Sequence, residues 1–492
     1  MEMKRVGLVV GLFLVCHWGF AQGFSGVRSG ASGGPGAGPF IGASPSGAYL
    51  VNPYTQHPLF LVGDSAWDLI EQLDNADAAT YLADRGSRGF NILWLAAADN
   101  VYQTNPPNNY YGSAPFDGAD FTNEDAGYWA HVDYIVRLAQ SYGITMGLDP
   151  GFGGLLNADG YRNSYLTSSD QVVNAYGVWL GNRYKNFPNI LWVLAGDSDP
   201  TDTGLYEKLN QLAAGIRSAD SMHLITIEAS RFYESGAGAP NDGWSSLDAW
   251  GGAVSGAYTA ASFPPSWLNL NWVYDDYGGM QAGSARNYAS YVLASPYMAQ
   301  LAGEDWYEGE HSTTPLQLRE ESYWEVLSGC TLGRIFGNNA IWSFGGPNDT
   351  MGQTWQSQLA SSGSTAQQYL GQLFRSREFW KLVPDAGNVT LTAGYGSGST
   401  LSVAARTSDG QTVVVYIPNG NSTTVTINMA KITDAGATVN EWWLNPSTGA
   451  TTHIGTAANT GSANFTAPDS NDWVLVLDSN AAALSAPGGA AL

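Results

Sequence analysis

A chain of 492 residues is long enough for two or three domains and a large core. Lys and Arg number 20 against 43 Asp and Glu, a net charge of -23, which excludes a surface that gathers phosphates, so nucleic acid is not an expected partner. Only 13% of residues are charged, while Gly (60), Tyr (26) and Trp (18) are abundant, a mix that fits an exported, loop-rich protein.

Lys4 and Arg5 precede an apolar run over residues 6–15 and then Gly19-Phe-Ala-Gln22. A basic start, a short apolar core and small residues before Gln22 describe a secretory signal peptide over residues 1–21, and hence a secreted or periplasmic protein. The run is too short to span a bilayer, so no membrane insertion is expected. Once residues 1–21 are removed, Cys330 is the one cysteine of the chain, which excludes an internal disulfide. Residues 22–46 are mostly Gly, Ser, Pro and Ala and read as a flexible leader.

From 47 to 384, short apolar runs alternate with helical patterns. Residues 59–64, 89–95, 144–149 and 190–194 read as four strands, the last without a polar gap and so buried on both faces. Residues 223–228, 268–274, 298–304 and 340–344 read as four more. Helices are expected over 75–85, 131–141, 172–184, 205–219 and 285–295. Eight strands separated by helical segments predict an α/β fold, a closed (β/α)8 TIM barrel. Beyond 384 the texture changes. Runs at 389–392, 400–404, 412–417, 423–428, 439–444 and 473–477, separated by Gly, Asn and Ser turns, predict a small all-β sandwich over 385–479. Residues 480–492 form a low-complexity tail.

Barrel sites collect side chains from the C-terminal ends of the strands. Here those ends carry Asp64, Asp99, Asp149, Asp197, Glu228 and Glu304. The six His residues show no metal-ligand spacing, and the Asp197-Ser-Asp-Pro-Thr-Asp202 segment lacks EF-hand alternation, so no metal is predicted. No GxSxG, GxGxxG or phosphate loop stands at a strand-to-helix turn, so no cofactor is expected either. A carboxylate mouth without His or metal suits glycoside hydrolysis, with one acid protonating the leaving oxygen and another attacking carbon or activating water. Strands four and seven of a barrel face each other, so Asp197 and Glu304 are the expected catalytic pair. Acidic neighbours Asp305 and Glu308 are expected to raise one pKa. Asp197 has a structural reading too, as a cap of the next helix. Asp64, Asp99, Asp149, Glu228 and Glu308 are candidate substrate-binding groups, together with Trp67, Trp94, Trp272 and Trp306 as flat faces for sugar rings. The expected partner is a polysaccharide or oligosaccharide; a non-catalytic carbohydrate- or matrix-binding protein is the alternative.

Four ordered motifs carry a resemblance: His57-Pro-Leu-Phe-Leu-Val-Gly-Asp-Ser-Ala-Trp, Tyr81-Leu-Ala-Asp-Arg-Gly-Ser-Arg-Gly-Phe-Asn, Asn189-Ile-Leu-Trp-Val-Leu-Ala-Gly-Asp and Gly303-Glu-Asp-Trp-Tyr-Glu. Over residues 49–478 the chain resembles glycoside hydrolase family 140, the apiosidase-like barrel family, in which a small β domain named for collagen binding often follows. The resemblance implies a hydrolase with Asp197 as general acid/base and Glu304 as nucleophile. Two departures stand out: Ala195-Gly-Asp where the family has Gly-Gly-Asp, and Ile227-Glu-Ala-Ser where its fifth strand ends near His-Pro. Both lie where a sugar would be chosen, and they leave Glu228 either a substrate-binding group or a rival catalytic one.

Overall fold

A computed structural model of the chain describes residues 40–154, 160–198, 202–229, 244–246, 265–274, 298–420, 423–433 and 438–492. Eight parallel strands form the barrel: β1 (Leu61–Ser65), β2 (Ile92–Ala96), β3 (Thr145–Asp149), β4 (Ile190–Ser198), β5 (Ile225–Ala229), β6 (Asn271–Tyr274), β7 (Gln300–Glu304) and β8 (Gly333–Phe336). Their order round the sheet is β5-β4-β3-β2-β1-β8-β7-β6, and a parallel bridge between Ile225 and Leu268 joins the two ends. A two-residue strand, Trp244–Ser245, pairs antiparallel with β6.

The strands read as apolar runs because both faces are covered. Leu61, Ile92, Trp94, Leu191, Val193, Leu270, Trp272, Leu301 and Ile335 fill the barrel interior. The alternate positions, such as Leu93, Leu95, Trp192 and Leu194, pack outward under the helices. Those helices are α1 (Asn75–Ser87), α2 (Ala126–Ser141), α3 (Asp170–Tyr184), α4 (Thr203–Ala219), α5 (Pro315–Ser328) and α6 (Ser362–Arg375). Side-chain acceptors fix where several begin: Asp74 takes the amides of Ala76 and Asp77, and Asp202 takes that of Leu205. The cap of the helix after β4 is therefore Asp202. The helix expected over 285–295 lies outside the described residues.

One strand falls elsewhere than expected. The apolar run at 340–344 is no strand; Asn339–Trp342 is a short helix capped by the Asn338 side chain. The eighth stave is Gly333-Arg-Ile-Phe, whose Arg334 disguises it as polar. Arg334 is buried and its guanidinium pairs with Glu321 (2.6 Å) and Glu325 (2.7 Å) on α5. A charged residue survives inside a buried strand only when such partners face it.

The C-terminal unit has two antiparallel sheets. One has six strands in the order β9 (Leu382–Pro384), β11 (Val403–Thr407), β12 (Thr412–Ile417), β17 (Trp473–Ser479), β14 (Thr438–Leu444) and β15 (Thr451–Ala458). The other has three: β10 (Leu391–Ala393), β13 (Thr424–Asn428) and β16 (Ser462–Thr466). Val413, Val415, Val425, Ile427, Leu475 and Leu477 make the core between them. The outer face of the larger sheet lies on α5, where Tyr323 stacks on Tyr416 at 4.7 Å and Arg319 forks onto Asp472. Part of the expected leader, Gly42–Ala43, pairs with Leu50–Val51, and the Leu492 amide donates to the Arg375 carbonyl at 2.9 Å. Among the described residues, no helix is long and apolar enough to cross a membrane.

Candidate active site

Three carboxylates meet at the C-terminal mouth. Asp197 on β4, Glu228 on β5 and Glu304 on β7 each bring one oxygen within 4.8 Å of the others. Strand irregularities aim two of them. In β7 the pairing with β6 slips by one residue between Ala302 and Glu304, so Gly303 is an extra residue. Such a bulge turns the following side chain to the opposite face of the sheet, here Glu304 toward the barrel axis. Gly303 has to be glycine, because a Cβ there would sit 1.8 Å from the Trp272 ring. In β4 the pairing with β5 passes from Leu194–Ile227 to Ser198–Ala229, so two extra residues are accommodated. Ala195 (φ 51°) and Asp197 (φ 53°) both take left-handed backbone, a conformation that non-glycine residues adopt at a cost and that clusters at functional sites.

The electrostatics follow from burial. Glu228 is fully buried, and loss of solvent, with the charges of Glu304 and Asp197 next, holds its carboxyl well above the usual carboxylate range. Burial and then the Asp197 charge push Glu304 up to about 8, while hydrogen bonds with Glu228 and Tyr307 pull it back. Asp305 and Glu308, the neighbours expected to do the raising, point elsewhere. Asp305 lies beside Glu321 and Arg334, and Glu308 accepts from Asn338 (3.0 Å) and the Gly363 amide (3.1 Å). Burial therefore favours the neutral form of Glu228 beside Glu304, with the Trp94 indole donating to its Oε2 at 2.5 Å. Three acceptor oxygens this close are also a set that a divalent cation takes.

The remaining candidates divide. Trp67 stands at the site: its indole donates to the Tyr307 hydroxyl at 3.3 Å, and its ring meets Phe152 edge-on beside Gly196. Trp94 and Trp272 lie beneath the carboxylates, but as floor, not as sugar platforms. They are buried and stack on each other at 3.8 Å, so their faces are taken. Asp64 points out of the barrel, where it accepts from Tyr81 (2.7 Å) and pairs with Arg85 (3.1 Å). Asp99 accepts the amides of Asn100, Val101 and Tyr102 in its own loop. Asp149 accepts three amides, from Gly151, Ala195 and Gly196. Trp306 stacks on His311. Asp64, Asp99, Asp149, Trp306 and Glu308 therefore do not join the carboxylate trio.

Sequence reasoning missed two tyrosines. Tyr307 bonds to Glu304, and Tyr274, at the end of β6, lies close enough to Asp197, Glu304 and Glu228 to feel their charges. Tyr307 sits inside the Gly303-Glu-Asp-Trp-Tyr-Glu motif, where the Trp drew attention first. Tyr274 ends the sixth strand, the position that drew attention to the acids of the other strands.

Comparison with known proteins follows this geometry. Residues 44–381 match the family model described as "Apiosidase-like, catalytic domain", and residues 383–478 match "Putative collagen-binding domain of a collagenase". No curated protein matches the chain. Among solved structures, one titled "Glycoside hydrolase" is 24% identical with a TM-score of 0.73, over 91% of this chain and 98% of that one. A glycoside hydrolase family 5 structure from Bacteroides vulgatus ATCC 8482 is 23% identical with a TM-score of 0.73, over 90% and 93%. At these identities the likeness is one of fold. The family model spans most of the chain, and with it the carboxylate mouth: the protein belongs to the apiosidase-like catalytic-domain family.

Proposed function

We propose that the protein is an exported glycoside hydrolase, akin to family 140, that cleaves a glycosidic bond in plant or microbial polysaccharide by a retaining double displacement. Asp197 is the acid/base and Glu304 the nucleophile. The observation that carries this reading is the approach of their carboxyl oxygens to within 4.8 Å across the barrel mouth. Groups that approach this closely suit direct attack by one carboxylate, the retaining geometry, better than a pair spaced to hold a water between them.

In the first step a Glu304 oxygen attacks the anomeric carbon while Asp197 gives its proton to the departing glycosidic oxygen. In the second, Asp197 takes a proton from water, the hydroxide oxygen bonds to the same carbon, and Glu304 leaves as carboxylate. Glu304 attacks only as the anion; burial and the Asp197 charge hold its carboxyl up at about 8, and the hydrogen bonds with Glu228 and Tyr307 pull the other way, toward the anion. Glu228 keeps its proton and donates it in a hydrogen bond, so it supports the nucleophile without competing for its place. Neither step draws on a cofactor. A furanoside of the apiose or arabinofuranose type is the proposed substrate class. The signal segment 1–21, the barrel over 47–384 and the β domain over 385–479 complete the proposal.

The test is a panel of defined plant and bacterial oligosaccharides scored for hydrolysis and for binding separately. The hydrolase reading predicts cleavage of at least one furanosidic member, abolished in Asp197→Ala and Glu304→Ala while their melting curves stay those of the wild type. Binding without cleavage across the panel would end it.

A further inference from the structure

The Asp197 turn is held by a side chain that belongs to another strand. Asp149 ends β3, is fully buried, and spends its carboxylate on backbone: Oδ2 accepts from the Gly196 amide at 2.8 Å, and Oδ1 accepts from Ala195 at 3.2 Å and Gly151 at 3.1 Å. The loop after β3 closes the embrace, since the Gly154 amide donates to the Gly196 carbonyl at 2.9 Å. Ala195 and Asp197, on either side of Gly196, are both left-handed. A conformation that disfavoured persists only where surrounding contacts over-determine it. In this turn the amides of Ala195 and Gly196, both in the slipped part of the β4–β5 pairing, go to Asp149.

We propose that Asp149 is a positioning residue of the reaction: it clasps the amides of Ala195 and Gly196 and so fixes where the Asp197 carboxyl meets the leaving oxygen. The inference rests on the hydrolase reading above and extends it to a group that touches no substrate. The ionised carboxyl suits the task. Burial lifts Asp149 to about 7 against the pull of the three amides; above that pH the anion accepts all three N–H groups without a donor of its own in the way, whereas an amide or hydroxyl would turn a hydrogen toward one of them. Distance suits it as well: Asp149 acts through two peptide units on a neighbouring strand, and an error of about 1 Å at a reacting group is enough to cost about 10²-fold in rate.

The experiment uses the full chain and the variants Asp149→Ala and Asp149→Asn. Amide hydrogen exchange of Ala195 and Gly196 is measured beside kcat and KM on whichever oligosaccharide the wild type cleaves. The clasp predicts that Asp149→Ala loses protection at these two amides by at least tenfold while the interior of β1 and β2 keeps its own. It also predicts that kcat falls about 10²-fold, the size of a 1 Å misplacement, with KM within about threefold. Asp149→Asn still offers one acceptor oxygen and recovers part of both; it carries the same readouts should the Ala variant fail to fold. Unchanged exchange at Ala195 and Gly196 overturns the clasp. Lost protection with an unchanged kcat overturns the positioning role, and a loss confined to KM makes Asp149 a substrate contact instead. A wild type inactive on every glycan refutes the hydrolase reading, and the exchange measurement alone then decides the clasp.

Discussion

Replacing Gly196 with Ala adds one methyl group where the site has no space for it. A Cβ built there lies 2.6 Å from two Phe152 ring carbons and 2.8 Å from a Trp67 ring carbon. Carbon atoms rest at about 3.5–4.0 Å, so the shortfall is close to 1 Å. The rings have little room to give, because they pack edge-on at 5.5 Å and Trp67 is also tied to Tyr307. Overpacking of this kind costs about 1–3 kcal/mol. In a chain this large that is a shift of only a few degrees in Tm, since about 2–4 °C per kcal/mol already holds for 150–250 residues. The effect on turnover is larger. If the turn yields instead of the rings, Asp197 moves by a comparable distance, and a misplacement of about 1 Å costs about 10²-fold in kcat. Gly196→Ala is therefore expected to keep its fold in a thermal melt and lose most of its kcat on the glycan that the wild type cleaves. A variant with wild-type kcat and Tm would refute the packing argument.

Three further outcomes are expected. Glu228→Gln reproduces the neutral carboxyl's pattern, accepting from Trp94 and donating to Glu304, so kcat/KM at pH 6–7 should stay within about tenfold of wild type, whereas removal of a nucleophile costs about 10⁴-fold or more; complete inactivity would make Glu228 the reacting group. Stability should fall as pH rises. Burial raises Asp64 to about 6, Asp149 to about 7, and Glu71 and Glu304 to about 8, so between pH 4 and 8 the native state binds more protons than the unfolded one. Tm should be higher at pH 5 than at pH 8.5, and a Tm that climbs across that interval contradicts these shifts. Arg334→Met leaves Glu321 and Glu325 buried without their cation and should cost about 3–5 kcal/mol in denaturant unfolding; a loss below 1 kcal/mol would mean the triad contributes little.

How far the sequence could be read depended on what burial leaves visible. Seven of the eight staves show as apolar runs because a parallel strand covered on both faces has nothing polar to display. The eighth was hidden by Arg334, whose compensation comes from α5, outside any local window. The mouth was legible as a set of strand-end acids, and Asp197, Glu228 and Glu304 were all among them. Which ones converge was not legible. Side chains alternate across a strand, and one extra residue reverses the face. Asp64 ends pointing at Arg85, outside the barrel, while the bulge at Gly303 turns Glu304 inward. Tyr274 and Tyr307 escaped because the residues sought at strand ends were acids.

The stereochemistry of the first product tests the central claim most directly. Proton NMR of a cleaved oligosaccharide, followed from the first turnover before the released sugar equilibrates, should show the anomeric configuration of the substrate. The signal should vanish in both Asp197→Ala and Glu304→Ala. An inverted first product, or cleavage that persists in both variants, would contradict a pair of carboxylates acting on one bond from β4 and β7.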